Sequence, residues 1–173
     1  MLKRLKNGQL DFLITRLLPQ QDESDLVYEA LSEESECAVV RVSHPLLARS
    51  DLSLKELAGA CWVLSPRGSL LRHRFDLLFR RSDLTPPSNV VETTAMSVTQ
   101  SLLQQTDFMH IMPLDIARHY VNFCELAILP IGLPCKMDSY GLILQRDRLL
   151  LPGANPLLKH MRNVAAAIYP SPA

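Results

Sequence analysis

The chain has 173 residues, with 18 Lys and Arg against 18 Asp and Glu, 47% hydrophobic residues and 21% charged ones. This is the composition of a soluble globular chain, long enough for one domain of two lobes with a real core. The zero net charge argues against an extended nucleic-acid surface and a polybasic membrane anchor, and no apolar run approaches a membrane span.

Met1, Leu2 and Leu5 recur at helical spacing, and Asn7-Gly8 is a helix stop. The same residues start like a signal peptide, but Asn7-Gly8-Gln9 stands where its apolar core belongs, so a cytoplasmic location is expected. Residues 10–15 predict a short strand of the buried, parallel kind, and 17–25 a polar loop. Residues 27–31 and 37–42 predict two strands, the second closed by Ser43-His44-Pro45-Leu46. Ser53-Leu54-Lys55-Glu56 is a capping box for a short helix ending at Gly59. Residues 61–64 predict a strand, and the turn Ser65-Pro66-Arg67-Gly68-Ser69 feeds a helix with Leu71, Phe75, Leu78 and Phe79 on one face. A break at 83–88 precedes a strand at 90–93. Thr93 or Thr94 then caps a helix with Val98, Leu102 and Leu103 inward. Strand 107–112 ends at Pro113, helix 114–121 and strand 126–129 follow, and 140–145 is a late apolar strand. Asn155-Pro156 predicts the start of a last helix, with Leu157, Leu158, Met161, Val164, Ala165 and Ile168 as its buried stripe. Alternating strands and helices imply an α/β fold with mostly parallel sheets, whose ligand edge gathers strand ends and helix starts. The four cysteines, Cys37, Cys61, Cys124 and Cys135, lack C-x-x-C spacing and read as buried thiols.

The order of these segments resembles the LysR-type transcriptional regulators. Residues 5–14, LKNGQLDFLI, look like that family's L-x-x-G-x-L-D-hydrophobic segment. His44-Pro45-Leu46 followed by Leu52-Ser53-Leu54-Lys55-Glu56-Leu57 is similar to its H-P-L and L-s-l-x-x-L. Trp62-Val63-Leu64-Ser65-Pro66-Arg67-Gly68-Ser69 resembles its strand and ligand loop, and Val91-Glu92-Thr93-Thr94 its next strand and cap. Phe108-Met109-His110-Ile111-Met112-Pro113 stands where the family has G-hydrophobic-small-x-L-P, with Asp107 near the place of the usual glycine. This variant is similar to a subgroup regulating sugar or aromatic-acid catabolism. The resemblance covers residues 1 to about 168.

It implies a periplasmic-binding-protein-like (type 2) effector domain, with lobe I as 1–42 plus 142–173 and lobe II as 43–141. Crossing strands are expected near 39–42 and 140–144. The family's winged helix-turn-helix, linker helix and opening strand-helix-strand have no counterpart here. Lobe I is therefore expected to be incomplete and to leave residues 10–15 as an unpaired edge. DNA contact is expected only through the absent head. The expected partners are a small-molecule effector of the carboxylate or sugar-acid kind, and another copy or another regulator chain, with no membrane.

The candidate effector site is Ser65, Arg67, Gly68 and Ser69, with Thr93, Thr94, Met112, Pro113 and Thr15. A helix start offers free amides, Ser69 a hydroxyl and Arg67 a fork that matches a carboxylate. The same loop also fits a capped helix with Arg67 in solvent, and a buried Met112 fits a core. Residues 17–40 hold seven acidic side chains and no Lys or Arg, while 67–81 hold five Arg. That helix could meet a partner or simply be solvated. No G-x-S-x-G, H-E-x-x-H or P-loop occurs, and the five His are dispersed. The expectation is no enzyme, no cofactor and no metal. The competing readings are a solute-binding protein of the same fold, a metabolic enzyme on this architecture, and a non-functional fragment of a regulator gene.

Overall fold

Helix α1 (Leu2–Lys6) stops at Asn7, and the chain turns at Gly8, φ +75°. A side chain there would run into Arg148, whose Nη2 donates to the Gly8 carbonyl at 2.6 Å. The turn delivers the chain into β1 (Phe12–Arg16). The computed structural model describes residues 1–16, 24–123 and 125–169, so most of the expected loop at 17–25, and Cys124, lie outside the described residues. The chain forms two compact units, Met1–Glu34 with Asp138–Ala173, and Ser35–Met137.

In the first unit β1 pairs antiparallel with β7 (Lys136–Gln145), from Phe12 opposite Leu144 to Arg16 opposite Tyr140. The expectation of a buried parallel strand is thus corrected: only Leu13 is buried, and Ile14 is 43% exposed. β7 neighbours β2 (Leu26–Val40), and β1 ends the strand order, with one edge unpaired among the described residues. β2 is one strand of 15 residues rather than two. Its Ser- and Glu-rich middle looked like a break, but a ladder needs only backbone groups and an alternating face. Arg16 donates from Nε to the Asp138 carbonyl at 2.8 Å, pairs with Glu34 and stacks 3.8 Å from the Tyr140 ring centre. It therefore ties β2 and β7 where each leaves this unit.

Helix α6 (Ala154–Ile168) begins one residue before the expected cap, with Gly153 at the N-cap position. Pro156 sits inside the first turn, where a missing N–H removes no helical bond. The expected buried stripe is not buried. Leu158 is enclosed, while Leu157, Val164 and Ile168 are 49%, 40% and 59% exposed. This unit's apolar cluster, Leu5, Leu13, Leu26 and Ile143, is small and takes no residue from α6.

The second unit has strand order β6-β2-β5-β3-β4, with β3 (Trp62–Leu64), β4 (Val90–Glu92), β5 (Met109–Pro113) and β6 (Ala127–Ile128). β4 and β5 run parallel to β3; β2 runs antiparallel to β5 and β6. Residues 36–39 pair with β5, so the passages between units fall at Glu34–Ser35 and Met137–Asp138, against the expected 42–43 and 141–142.

α2 (Leu54–Ala58) has both bonds of its capping box with Ser53 and Glu56. α3 (Leu70–Arg80) turns Phe75, Leu78 and Phe79 onto one face of the sheet. Phe75 meets Trp62 and Phe79 edge-on at 4.8 and 5.0 Å, and the Trp62 indole donates to the Leu57 carbonyl at 2.9 Å. The other face packs Cys37, Val39, Leu103, Met112, Ala117 and Leu126 beneath α4 (Met96–Gln105) and α5 (Leu114–Asn122). On α4 the inward residues are Thr99 and Leu103, while Val98 is 45% exposed. Burial pushes the Cys37 and Cys135 thiols up to about 12 and about 11, as befits buried thiols.

Candidate functional site

Three parallel strands of the second unit end side by side, and each feeds a helix: β3 into α3, β4 into α4, β5 into α5. Leu64 and Glu92 are ladder partners, and the Thr93 amide donates to the Leu64 carbonyl at 3.0 Å. The structure thus brings Ser65, Arg67, Gly68 and Ser69 to the same sheet edge as Thr93 and Thr94, with Pro113 opening the third helix.

The loop turns at Gly68, φ +89°, a conformation glycine adopts at no steric cost. Ser69 is the N-cap of α3, its Oγ accepting from the Arg72 amide at 3.3 Å. Thr93 does not cap α4, and neither does Thr94. Ala95 holds that position, and the Thr93 hydroxyl accepts from the Ala95 amide at 3.0 Å. Thr93, two residues before the N-cap, makes the short side-chain turn that competes with capping. α4 and α5 both start without a side-chain cap.

Arg67 is 84% exposed and reaches Glu92, Nε to Oε1, at 3.6 Å, while its amide donates to Glu92 Oε2 at 3.4 Å. Glu92 also accepts from Arg72 Nη1 at 2.9 Å, and Arg72 Nε donates to Asp76 at 2.9 Å. Arg72 is buried at 5% exposure. Desolvation pulls the Glu92 carboxyl upward, but the bonds from Arg72 and the Arg67 amide outweigh it and hold it below the ordinary carboxylate value. Only the Arg72–Asp76 spacing of this network was readable in the sequence.

Met112 is 3% exposed and belongs to the core beneath α4 and α5, so it does not line the edge as expected. Alternation along β5 sends it down into that cluster. Thr15 lies in the other unit, half-buried in β1, with Gly141 as its ladder partner. His110 has a structural role that no local sequence pattern marks. It is buried, its pKa is lowered by burial, and its Nδ1 lies 2.7 Å from the Val63 carbonyl, to which the neutral ring donates. Asp107 also has a structural role. It accepts from Arg41 Nε at 2.8 Å, and its carbonyl faces His44 Nε2 at 3.2 Å. His44 Nδ1 accepts from the Leu46 amide, so Nε2 carries the proton that reaches Asp107.

Among the described residues no group of three His, Cys, Asp or Glu could hold a metal ion, and no helix is long and apolar enough to cross a membrane.

The two-unit α/β chain, with helices fed from adjacent strand ends, has a periplasmic-binding-protein-like fold. The chain belongs to the LysR substrate binding domain family, whose model matches residues 1–166, and it is an effector-sensing domain of the LysR type. It is 32% identical over 161 residues to the HTH-type transcriptional regulator GbpR of Azospirillum brasilense, covering 92% of this chain and 47% of that protein. It is 34% identical over 160 residues to the HTH-type transcriptional regulator GalR of Pseudomonas putida, covering 92% of this chain and 40% of that protein. The chain therefore spans less than half the length of these relatives. Its fold is similar to the CcmR regulatory domain of Synechocystis PCC6803 in complex with 2-PG, with TM-score 0.74, 20% identity, and 99% and 79% of the two chains covered. It is also similar to the BenM effector binding domain with its effector benzoate, with TM-score 0.69, 19% identity, and 96% and 74% covered.

Proposed function

We propose that the strand-end edge formed by Ser65, Arg67, Gly68, Ser69, Thr93, Thr94 and Pro113 holds a small effector carrying a carboxylate or several hydroxyls. In this reading the domain binds its effector without converting it, in the cytoplasm, and passes occupancy to a separate DNA-binding head through contacts between regulator chains. One observation carries the reading. Two uncapped helix starts stand beside Ser69 and Thr93, whose hydroxyls each accept from a backbone amide and so keep a proton to donate. Amides and hydroxyl protons converging on one edge match oxygen-rich, electron-rich ligands.

The test is calorimetric titration with a panel of small carboxylates and sugar acids, followed by Ser69→Ala and Thr93→Ala. Each substitution removes one donor and is expected to weaken the bound ligand about 5- to 10-fold, the worth of an ordinary hydrogen bond. Affinity unchanged in both variants contradicts the site.

A further inference from the structure

We propose that Glu92 sets the charge this edge accepts, favouring a ligand with one negative charge and several hydroxyls over a dianion. The proposal rests on the ligand reading of the strand-end edge given above. Among the described residues Arg67, Arg72 and Arg118 are the cations at this edge, and Glu92, Asp76 and Asp115 pair with them, so the six charges cancel. Arg72 is buried with both carboxylates as partners, and turning it toward a ligand would strand them. The Arg67 amide, which an incoming carboxylate would use, is already engaged by Glu92 Oε2 at 3.4 Å. The remaining donors are neutral: the hydroxyls of Ser69 and Thr93 and the first amides of α4 and α5. Neutral donors suit hydroxyl oxygens and one carboxylate. Among the described residues a second negative charge finds no cation at this edge without a carboxylate partner, and it meets Glu92, which stands one residue before Thr93.

D-gluconate and D-glucarate carry one and two carboxylates on the same polyol frame. Both are titrated into the 173-residue chain at constant ionic strength, in the wild type and in Glu92→Gln. Glutamine keeps the shape and an acceptor for Arg72 but removes the charge. The wild type is expected to prefer gluconate, and Glu92→Gln to shift the affinity ratio toward glucarate about tenfold, the effect of removing one nearby like charge. A ratio that moves less than about twofold overturns the proposal. The wild-type measurement alone tests it too: glucarate binding as tightly as gluconate overturns it without any variant. The two levels separate through Ser69→Ala and Thr93→Ala. If these weaken gluconate while Glu92→Gln leaves the ratio fixed, only the role of Glu92 fails. If they leave gluconate unaffected, the underlying ligand reading fails and this proposal with it; if neither sugar acid binds, this proposal is overturned while the panel still tests the ligand reading.

Discussion

Phe75 is fully buried between Trp62 and Phe79, on the face of α3 that meets the sheet. Removing its ring leaves a void that two other rings border, and rigid neighbours collapse poorly into such a space. Phe75→Ala is expected to cost about 3–5 kcal/mol in urea denaturation, and a loss below about 1 kcal/mol would show that the core is not built around this residue. Residue-level features were legible in the sequence where their partners are close in the chain. The Ser53–Glu56 box spans three residues, and both of its bonds form. The Arg72–Glu92 bond joins residues 20 apart, and the Asp107 contacts to Arg41 and His44 join residues 66 and 63 apart. No local pattern encodes such pairs, because the sheet register creates them.

Whole elements were legible wherever the period alone decides them. The apolar spacing of α3 names Phe75, Leu78 and Phe79, which are buried, although Leu71 is half-buried and Arg72 is buried without belonging to the stripe, and the alternation of β3, β4 and β5 with helices places three helix starts together. Period does not say what covers an apolar face. Residues 157, 161, 164 and 168 have the spacing of a packed stripe, yet among the described residues most of that face of α6 is open, and β1 has an open edge in the same unit. An apolar helix face and an unpaired strand edge both favour association. Sedimentation velocity is expected to show self-association that rises with concentration, and Val164→Glu with Ile168→Lys to reduce it. A monodisperse monomer at every concentration contradicts this. The shift of the α4 cap from Thr93 or Thr94 to Ala95 has a similar origin. A Thr before a helix serves equally as a cap or as a turn residue, and the carbonyl of Leu64 fixes the Thr93 amide in the second arrangement.

For the whole molecule, the order of segments from residue 5 to 113 carried the family, although each segment is common by itself. Their spacing reflects a topology, and the family match over residues 1–166 agrees with it. The passages between units were less legible. β2 and β7 read as apolar or polar runs irrespective of which unit pairs with them, and only the ladder of residues 36–39 with β5 assigns that stretch. The edge of the second unit, with its uncapped helices and its cancelled charges, is the feature on which the functional account depends. Its direct measurement is a two-dimensional amide spectrum of the nitrogen-15-labelled chain, titrated with the tightest ligand of the carboxylate and sugar-acid panel. The account predicts that the amides of residues 65, 67–71, 93–98 and 114–116 shift together and saturate at one affinity. A ligand that binds and saturates while those amides stay in place contradicts it.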